Sequence, residues 1–123
     1  GLPLTAPLSI NSGKPLVVVR KRQYGLEGEV AIDQSTGYSK GEMYLNDIKS
    51  GERIVIVDDV LSTGGTIRAI INGIEKTGAK IMHIITVIEK GPGLKILQKE
   101  FPNIKIESLV RLEMDGADIV ILD

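Results

Sequence analysis

Cysteine is absent from the 123-residue sequence, which excludes a disulfide framework and any metal site made of thiolates and fits an intracellular, cytoplasmic protein. There is one histidine, His83, and its position inside an apolar run favours a structural role in the core or at a sheet edge over a catalytic one. The formal net charge is only −1, so the composition does not suggest a broad basic surface for nucleic acid. No apolar run reaches the roughly 18 residues that cross a bilayer. We therefore expect neither a nucleic-acid nor a membrane partner.

Strand-like and helix-like segments alternate along the chain, whose length suits one domain with a single core. From residue 53 onward the order is strand, helix, strand, helix, strand. This order predicts right-handed crossovers and an α/β fold with a mainly parallel sheet flanked by helices. Asp115 and Gly116 between two apolar runs predict a hairpin. Helices are predicted at residues 2–11, 67–74 and 94–100, and strands at residues 15–22, 42–46, 53–57, 81–89 and 104–110.

Residues 24–40 differ from the rest of the chain because they are rich in glycine and polar side chains. They are predicted to form a long flexible loop, with room for one strand at residues 29–33. Long loops inside compact domains tend to carry function. We therefore expect this segment to belong to the functional site.

The most informative stretch is RIVIVDDVLSTGGTI at residues 53–67. An aliphatic strand ends in Asp58 and Asp59, and a turn with two glycines then leads into a helix. Ligands of open parallel sheets bind at the carboxyl ends of strands, and a helix N-terminus presents N–H groups to a phosphate. Two carboxylates beside a phosphate need another partner, such as a sugar diol or magnesium. The pattern therefore predicts a site for a ribose 5-phosphate. The turn consists of Ser62, Thr63, Gly64, Gly65 and Thr66.

Other interpretations of this motif are weaker. A Walker A loop requires a lysine after its glycines, a dinucleotide-binding fold requires G-x-G-x-x-G, and neither is present. Phosphoaspartyl enzymes usually carry Asp-x-Asp at the end of their first strand. The structural alternative is a plain strand-to-helix turn with Thr66 as N-cap and solvated aspartates. It leaves unexplained why two acids, three hydroxyls and two glycines fall within nine residues.

The stretch VIVDDVLSTGGT resembles the phosphoribosyl pyrophosphate motif of the type I phosphoribosyltransferases, and the resemblance extends over about residues 1–110. It implies the fold of that family. It also implies that Asp58 and Asp59 are the catalytic residues that hold the 2- and 3-hydroxyls of ribose, and that residues 62–66 hold the 5-phosphate. Val60 and Leu61, between these two groups, are included in the predicted substrate site. The resemblance further implies magnesium, carried by phosphoribosyl pyrophosphate rather than by protein ligands, and a homodimer.

A second stretch narrows the resemblance within that family. VVVRKRQYGLEGEV, followed by GYSKGEMYL, is similar to the adenine phosphoribosyltransferases and is closer to the hypoxanthine/guanine phosphoribosyltransferases of archaeal type. The resemblance implies that Arg20 and Lys21 face the pyrophosphate. It also implies that Tyr38 belongs to a flexible active-site loop at residues 24–40, which closes over the substrate. A closing loop and cations beside a leaving pyrophosphate would both favour its departure.

Departures from related families limit the choice of base. Orotate enzymes carry a further lysine and a histidine just after the Arg-Lys pair, and residues 23–25 of this chain supply neither, so orotate is disfavoured. Ser62 stands where eukaryotic-type hypoxanthine-guanine enzymes have an aspartate near the purine. Gly37 stands where adenine enzymes have a glutamate. The proton acceptor for the base is therefore unassigned.

The resemblance implies a purine salvage reaction in which hypoxanthine or guanine and phosphoribosyl pyrophosphate give the nucleoside monophosphate and pyrophosphate. Adenine as the base and a non-catalytic regulatory module that senses phosphoribosyl pyrophosphate are open alternatives. The related pyrophosphokinase is normally more than twice as long. The family places a pyrophosphate loop and a parallel strand ahead of the position that Gly1 occupies. We therefore expect the natural protein to be longer at its N-terminus.

Overall fold

A computed structural model describes residues 2–36, 39–115 and 118–121 and gives the chain the predicted α/β architecture. Helices and strands alternate from residue 53 to residue 115, as the sequence pattern predicts. In the described ranges the helices are α1 (Leu2–Ser12), α2 (Gly65–Lys76) and α3 (Gly93–Glu100), and the strands are β1 (Val30–Thr36), β2 (Ser39–Leu45), β3 (Arg53–Leu61), β4 (Lys80–Lys90), β5 (Lys105–Asp115) and β6 (Asp118–Ile121).

The main sheet has the strand order β3-β4-β5-β6. β3, β4 and β5 run parallel, with α2 and α3 as the two crossovers, so their carboxyl ends share one edge of the sheet. Both crossovers step in the same direction across the sheet, which places both helices on one face when the connections are right-handed. β6 pairs antiparallel with β5 from Leu112 opposite Ile121 to Asp115 opposite Asp118. The predicted hairpin is confirmed, although Gly116 of its predicted turn lies outside the described residues.

Helix α2 joins the main sheet to a separate two-stranded sheet made of β1 and β2. Its isoleucines recur at positions 67, 70, 71 and 74, the spacing of one helix face, and all four are buried. Each of these side chains contributes about 1.5–3 kcal/mol through removal from water. Ile32, Met43 and Leu45 of the hairpin belong to the same core. A Cβ atom on Gly73 would lie 2.5 Å from Cγ1 of Ile32, so the glycine allows the hairpin to approach the helix.

The prediction of a strand at residues 15–22 is wrong. The segment is extended but forms no ladder, and its single bridge is at Arg20, whose N–H and C=O pair with Tyr44 at 2.9 and 2.7 Å. Pro15 has no N–H to donate. Val17 and Val19 pack against the core while Val18 is exposed. The apolar residues of this run are therefore accounted for by packing of an extended chain, without a partner strand.

Several other boundaries differ from the sequence-based prediction, and three of them concern the predicted loop and site. Seven residues of the predicted loop at residues 24–40 form β1, which contains most of the strand suggested at residues 29–33. The strand predicted at residues 42–46 is the longer β2, because it pairs with β1 along all seven residues. The strand predicted at residues 53–57 continues to Leu61, so both aspartates lie within β3. The flexibility of residues 24–40 stays a prediction.

Candidate active site

Two adjacent carboxylates lie near the carboxyl end of β3, where ligands of parallel sheets bind. Asp58 is opposite Thr86 of β4, which is 1% exposed. The Asp58 side chain is half-buried, whereas Asp59 is exposed. The N–H of Asp59 donates to Oδ1 of Asp58 at 2.9 Å, and the N–H of Val60 donates to Oδ1 of Asp59 at 2.8 Å. The local backbone thus orients both carboxylates at one edge of the sheet.

The two carboxylates differ in acidity. Burial is the largest cause and raises the pKa of Asp58; the Asp59 N–H lowers it, and the Asp59 carboxylate raises it again. The pKa of Asp59 is lowered, first by its hydrogen bond with the Asp58 side chain and then by the N–H of Val60. Asp59 therefore holds the negative charge more readily, and Asp58 gains most from a ligand that donates hydrogen bonds.

The turn after β3 has the geometry of a phosphate cradle. Gly64 is the N-cap of α2, has φ +85° and is buried, so a residue without a Cβ suits this position. No side chain caps the helix, and the structural alternative of Thr66 as N-cap is wrong. The N–H of Gly65 makes only a 3.5 Å contact with Oγ1 of Thr63. Ser62, Thr63 and Thr66 are exposed. An anion at this helix N-terminus would meet both backbone and hydroxyl donors.

Helix α3 supports this turn from the next crossover, which sequence reasoning did not foresee. The N–H of Gly93 donates to the carbonyl of Ser62 at 3.1 Å. A Cβ atom on Gly93 would lie 2.1 Å from that carbonyl oxygen, and one on Gly64 would lie 3.2 Å from Leu97. The sequence does show a Gly91-Pro92-Gly93 turn. Its role in supporting the turn after β3 depends on the long-range contact between Gly93 and Ser62, which a local pattern does not reveal.

The two cations predicted to face pyrophosphate are in different environments. Lys21 is exposed. Arg20 is 12% exposed at its side chain and forms an ion pair with Glu29. Its Nη2 also donates to Oδ1 of Asn46 at 2.6 Å. Tyr38, the predicted residue of the closing loop, lies outside the described residues.

Two further titratable residues lie on β4. His83, predicted to be structural, has Nε2 2.7 Å from Oε1 of Glu107 on β5, so it lies within the sheet. Glu89 is 7% exposed at the carboxyl end of β4, opposite Leu61 of β3, and Ser108 donates to its Oε1 at 3.0 Å. Sequence reasoning did not single out Glu89, because one glutamate at the end of a strand is ordinarily solvated.

Among the described residues, no group of three or more histidine and acidic side chains is placed to hold a metal ion. The exposed Asp59 and half-buried Asp58 nevertheless provide hard oxygen donors, which suit magnesium brought in with a phosphorylated ligand. In the described part of the chain, no helix combines the length and hydropathy needed to cross a membrane.

A family model for the phosphoribosyl transferase domain matches residues 1–123, and the chain belongs to that family. Within it, the chain is 50% identical over 122 residues to the hypoxanthine/guanine phosphoribosyltransferase of Methanotorris igneus, covering 99% of this chain and 66% of that protein. It is 50% identical over 123 residues to the enzyme of the same name from Methanococcus voltae, covering 100% of this chain and 65% of that protein.

The fold is confirmed by a solved structure, the adenine phosphoribosyltransferase of Thermoanaerobacter pseudethanolicus. It is 30% identical with a TM-score of 0.75, and the match covers 90% of this chain and 64% of that one. The resemblance to archaeal hypoxanthine/guanine phosphoribosyltransferases predicted from the sequence is confirmed as well. The chain spans just under two thirds of the length of these curated relatives.

Proposed function

We propose that the protein is a purine phosphoribosyltransferase that acts on hypoxanthine or guanine. The bond between C1 of the ribose and the pyrophosphate oxygen breaks, a bond from C1 to a purine nitrogen forms, and that nitrogen loses its proton. The observation that supports this most is the succession of Asp58, Asp59 and the turn at residues 62–66 at the carboxyl end of β3. The names of the relatives at 50% identity support the choice of base.

The ribose 5-phosphate half of the substrate explains why this site has hydrogen-bond donors at one end and two carboxylates at the other. The uncapped N-terminus of α2 and the hydroxyls beside it bind the 5-phosphate dianion. Asp58 and Asp59 then accept hydrogen bonds from the 2- and 3-hydroxyls, about one sugar ring away. A ligand that donates hydrogen bonds to Asp58 offsets the cost of its burial. Holding the ribose at both ends fixes C1 for attack, so positioning supplies much of the rate.

The leaving group requires positive charge, since pyrophosphate develops negative charge as it departs. Lys21 is the exposed cation of the basic pair, whereas Arg20 is engaged by Glu29 and Asn46. Magnesium brought in with the substrate would supply positive charge to neutralise the pyrophosphate. Asp58 and Asp59 are the residues that would meet it. Within the same proposal, residues 24–40 with Tyr38 close over the site and exclude water.

Adenine is the second candidate base, because the solved structure at 30% identity is an adenine phosphoribosyltransferase. A homodimer belongs to the same proposal and is supported by the family resemblance. A cytoplasmic location is also part of the proposal, since the phosphorylated substrate and product do not cross membranes unaided.

The test is a product assay with phosphoribosyl pyrophosphate, magnesium and each of hypoxanthine, guanine and adenine in turn. We expect nucleoside monophosphate and pyrophosphate in equal amounts with hypoxanthine and guanine. The control is the double variant Asp58→Asn, Asp59→Asn, which should form no product. Product with adenine alone would transfer the assignment to the second candidate. Tight binding of phosphoribosyl pyrophosphate without product from any base would instead favour a sensor module.

A further inference from the structure

The segment that follows Arg20 is tied to the rest of the protein by a small polar cluster. The guanidinium of Arg20 forms an ion pair with Glu29, donates to Oδ1 of Asn46 at 2.6 Å, and lies with Cζ 4.0 Å from the ring centroid of Tyr24. The N–H of Tyr24 donates to Oε2 of Glu29 at 2.9 Å. Nδ2 of Asn46 donates to the carbonyl of Glu27 at 3.2 Å. Residues 21–29 are thus fastened at both ends to the end of β2.

The burial of these groups distinguishes the cluster from an ordinary surface ion pair. The side chains of Arg20 and Glu29 are 12% and 8% exposed, and Asn46 is 9% exposed. Exposed ion pairs contribute little, but charge-assisted hydrogen bonds shielded from water are considerably stronger. Nε of Arg20 is buried and finds no hydrogen-bond partner among the described residues. A pyrophosphate oxygen therefore cannot reach that nitrogen without moving the residues that bury it.

The backbone around Arg20 connects the polar cluster to the position of the next residue, Lys21. Arg20 is held at its N–H and C=O by Tyr44, and its side chain is held by Glu29 and Asn46. The Arg20 side chain is directed inward, whereas Lys21, where the chain bends, is exposed. One residue thus organises the segment, while the next presents an exposed ammonium group.

We propose that Arg20 is a positioning residue, which fixes residues 21–29 through Glu29 and Asn46 and so presents Lys21 to the pyrophosphate. This assignment rests on the proposed function and departs from the family-based expectation that both cations face the pyrophosphate. Glu29 also takes part in this positioning, since its carboxylate accepts hydrogen bonds from both the Arg20 guanidinium and the N–H of Tyr24.

The variant Glu29→Gln removes a negative charge and distinguishes two possible roles of Arg20, binding pyrophosphate or positioning the segment. The two roles predict opposite changes in affinity for phosphoribosyl pyrophosphate. If Arg20 bound pyrophosphate, Glu29→Gln would release a cation and remove a nearby anion, and affinity for phosphoribosyl pyrophosphate would rise. If Arg20 positions the segment, the same change loosens residues 21–29 and affinity falls by about tenfold, the scale of one charge-assisted hydrogen bond. Glu27→Gln is the matched control, because Glu27 is exposed in the same segment and its carboxylate forms no hydrogen bond or ion pair with another described residue.

The measurements are calorimetric titration with magnesium and phosphoribosyl pyrophosphate, and hydrogen exchange of residues 21–29 without ligand. We expect Glu29→Gln to lower affinity and speed exchange, and Glu27→Gln to change neither. Arg20→Lys, which keeps the charge but cannot bridge Glu29 and Asn46, should act like Glu29→Gln. Higher affinity in Glu29→Gln, unchanged affinity, or faster exchange without a loss of affinity would each overturn the proposal. If the unmodified protein does not bind phosphoribosyl pyrophosphate, the proposed function fails, and exchange alone then decides whether the cluster fastens the segment.

Discussion

At the scale of single residues, Asp58 shows a conflict between folding and binding. Its folded-state pKa is raised, first by burial, so the folded protein binds the Asp58 proton more tightly than the unfolded chain does. Its contribution to stability is greatest at low pH and falls as the pH rises through the folded pKa. At neutral pH the burial of the ionised carboxylate opposes folding, and a ligand that donates hydrogen bonds to it offsets this cost.

We therefore predict that Asp58→Asn makes the protein slightly more stable at pH 7 and impairs ligand binding. The gain in unfolding free energy should be roughly 0.5 kcal/mol, because the group is partly exposed and solvent screens it. Affinity for phosphoribosyl pyrophosphate should fall by at least about tenfold with the loss of a charged acceptor. Thermal unfolding and calorimetric titration measure the two effects.

Asp59→Asn is the control for that prediction, since the pKa of Asp59 is lowered. A lowered folded-state pKa means stability that is present above the unfolded pKa and lost as the pH falls through the folded one. Asp59→Asn should therefore not stabilise the protein at pH 7. If both variants were equally stabilised, the difference between the two carboxylates would have to be abandoned.

Gly93 is a second informative residue, because a contact with Ser62, far away in the sequence, explains why glycine is needed there. We predict that Gly93→Ala destabilises the protein by about 1–3 kcal/mol, because the added methyl group meets the Ser62 carbonyl and backbone must move. Binding of phosphoribosyl pyrophosphate should weaken at the same time, since the turn is displaced. Denaturant unfolding and calorimetry test this. Gly41→Ala is the control, since a Cβ atom there meets nothing within 4 Å; a similar loss in that variant would refute the steric explanation.

At the scale of elements, the β1–β2 hairpin depends on α2 through the contact between Ile32 and Gly73. We predict that Gly73→Ala is destabilising, although alanine favours a helix by about 1 kcal/mol, because its Cβ would lie 2.5 Å from Ile32. In an Ile32→Ala background the obstructing atoms are gone, and the same change should stabilise by up to about 1 kcal/mol.

A double-mutant cycle of unfolding free energies measures this coupling. Equal effects of Gly73→Ala in both backgrounds would show that the hairpin does not rest on the helix as described. The cycle also bears on function, because α2 carries the turn at residues 62–66 at its N-terminus. A hairpin that packs on this helix is joined to the phosphate end of the proposed site.

At the scale of the whole molecule, the ligand of the proposed function would contact the main sheet, the start of α2 and residues after Arg20. A ligand that binds only the folded state should therefore stabilise the entire domain. We predict that phosphoribosyl pyrophosphate with magnesium, at about 100 times its dissociation constant, raises the unfolding free energy by about 2.7 kcal/mol. Thermal unfolding at increasing ligand concentration measures it. Inorganic pyrophosphate at the same concentration should give a smaller shift, and an equal shift would show that the ribose phosphate half contributes nothing.

Local sequence determined the part of the protein between residues 53 and 100. The isoleucine spacing predicted α2, and the continuous aliphatic runs predicted β3 and β4. The acidic pair with its glycine turn predicted a ligand site between β3 and α2, which stays a prediction. These features can be predicted from the sequence because helix periodicity, a buried strand and the positive φ at Gly64 each depend on residues that are close together along the chain. The family resemblance could be seen for the same reason.

Tertiary structure decided what local pattern could not. Residues 15–22 look like a strand, but whether an extended chain forms a ladder depends on a neighbour with free N–H and C=O groups. Only Arg20 finds one, in Tyr44. The inward direction of Arg20 depends on Glu29 and Asn46, which are nine and 26 residues away. The sequence showed which residues carry charge, and contacts between distant segments determined that Arg20 is directed inward and Lys21 outward.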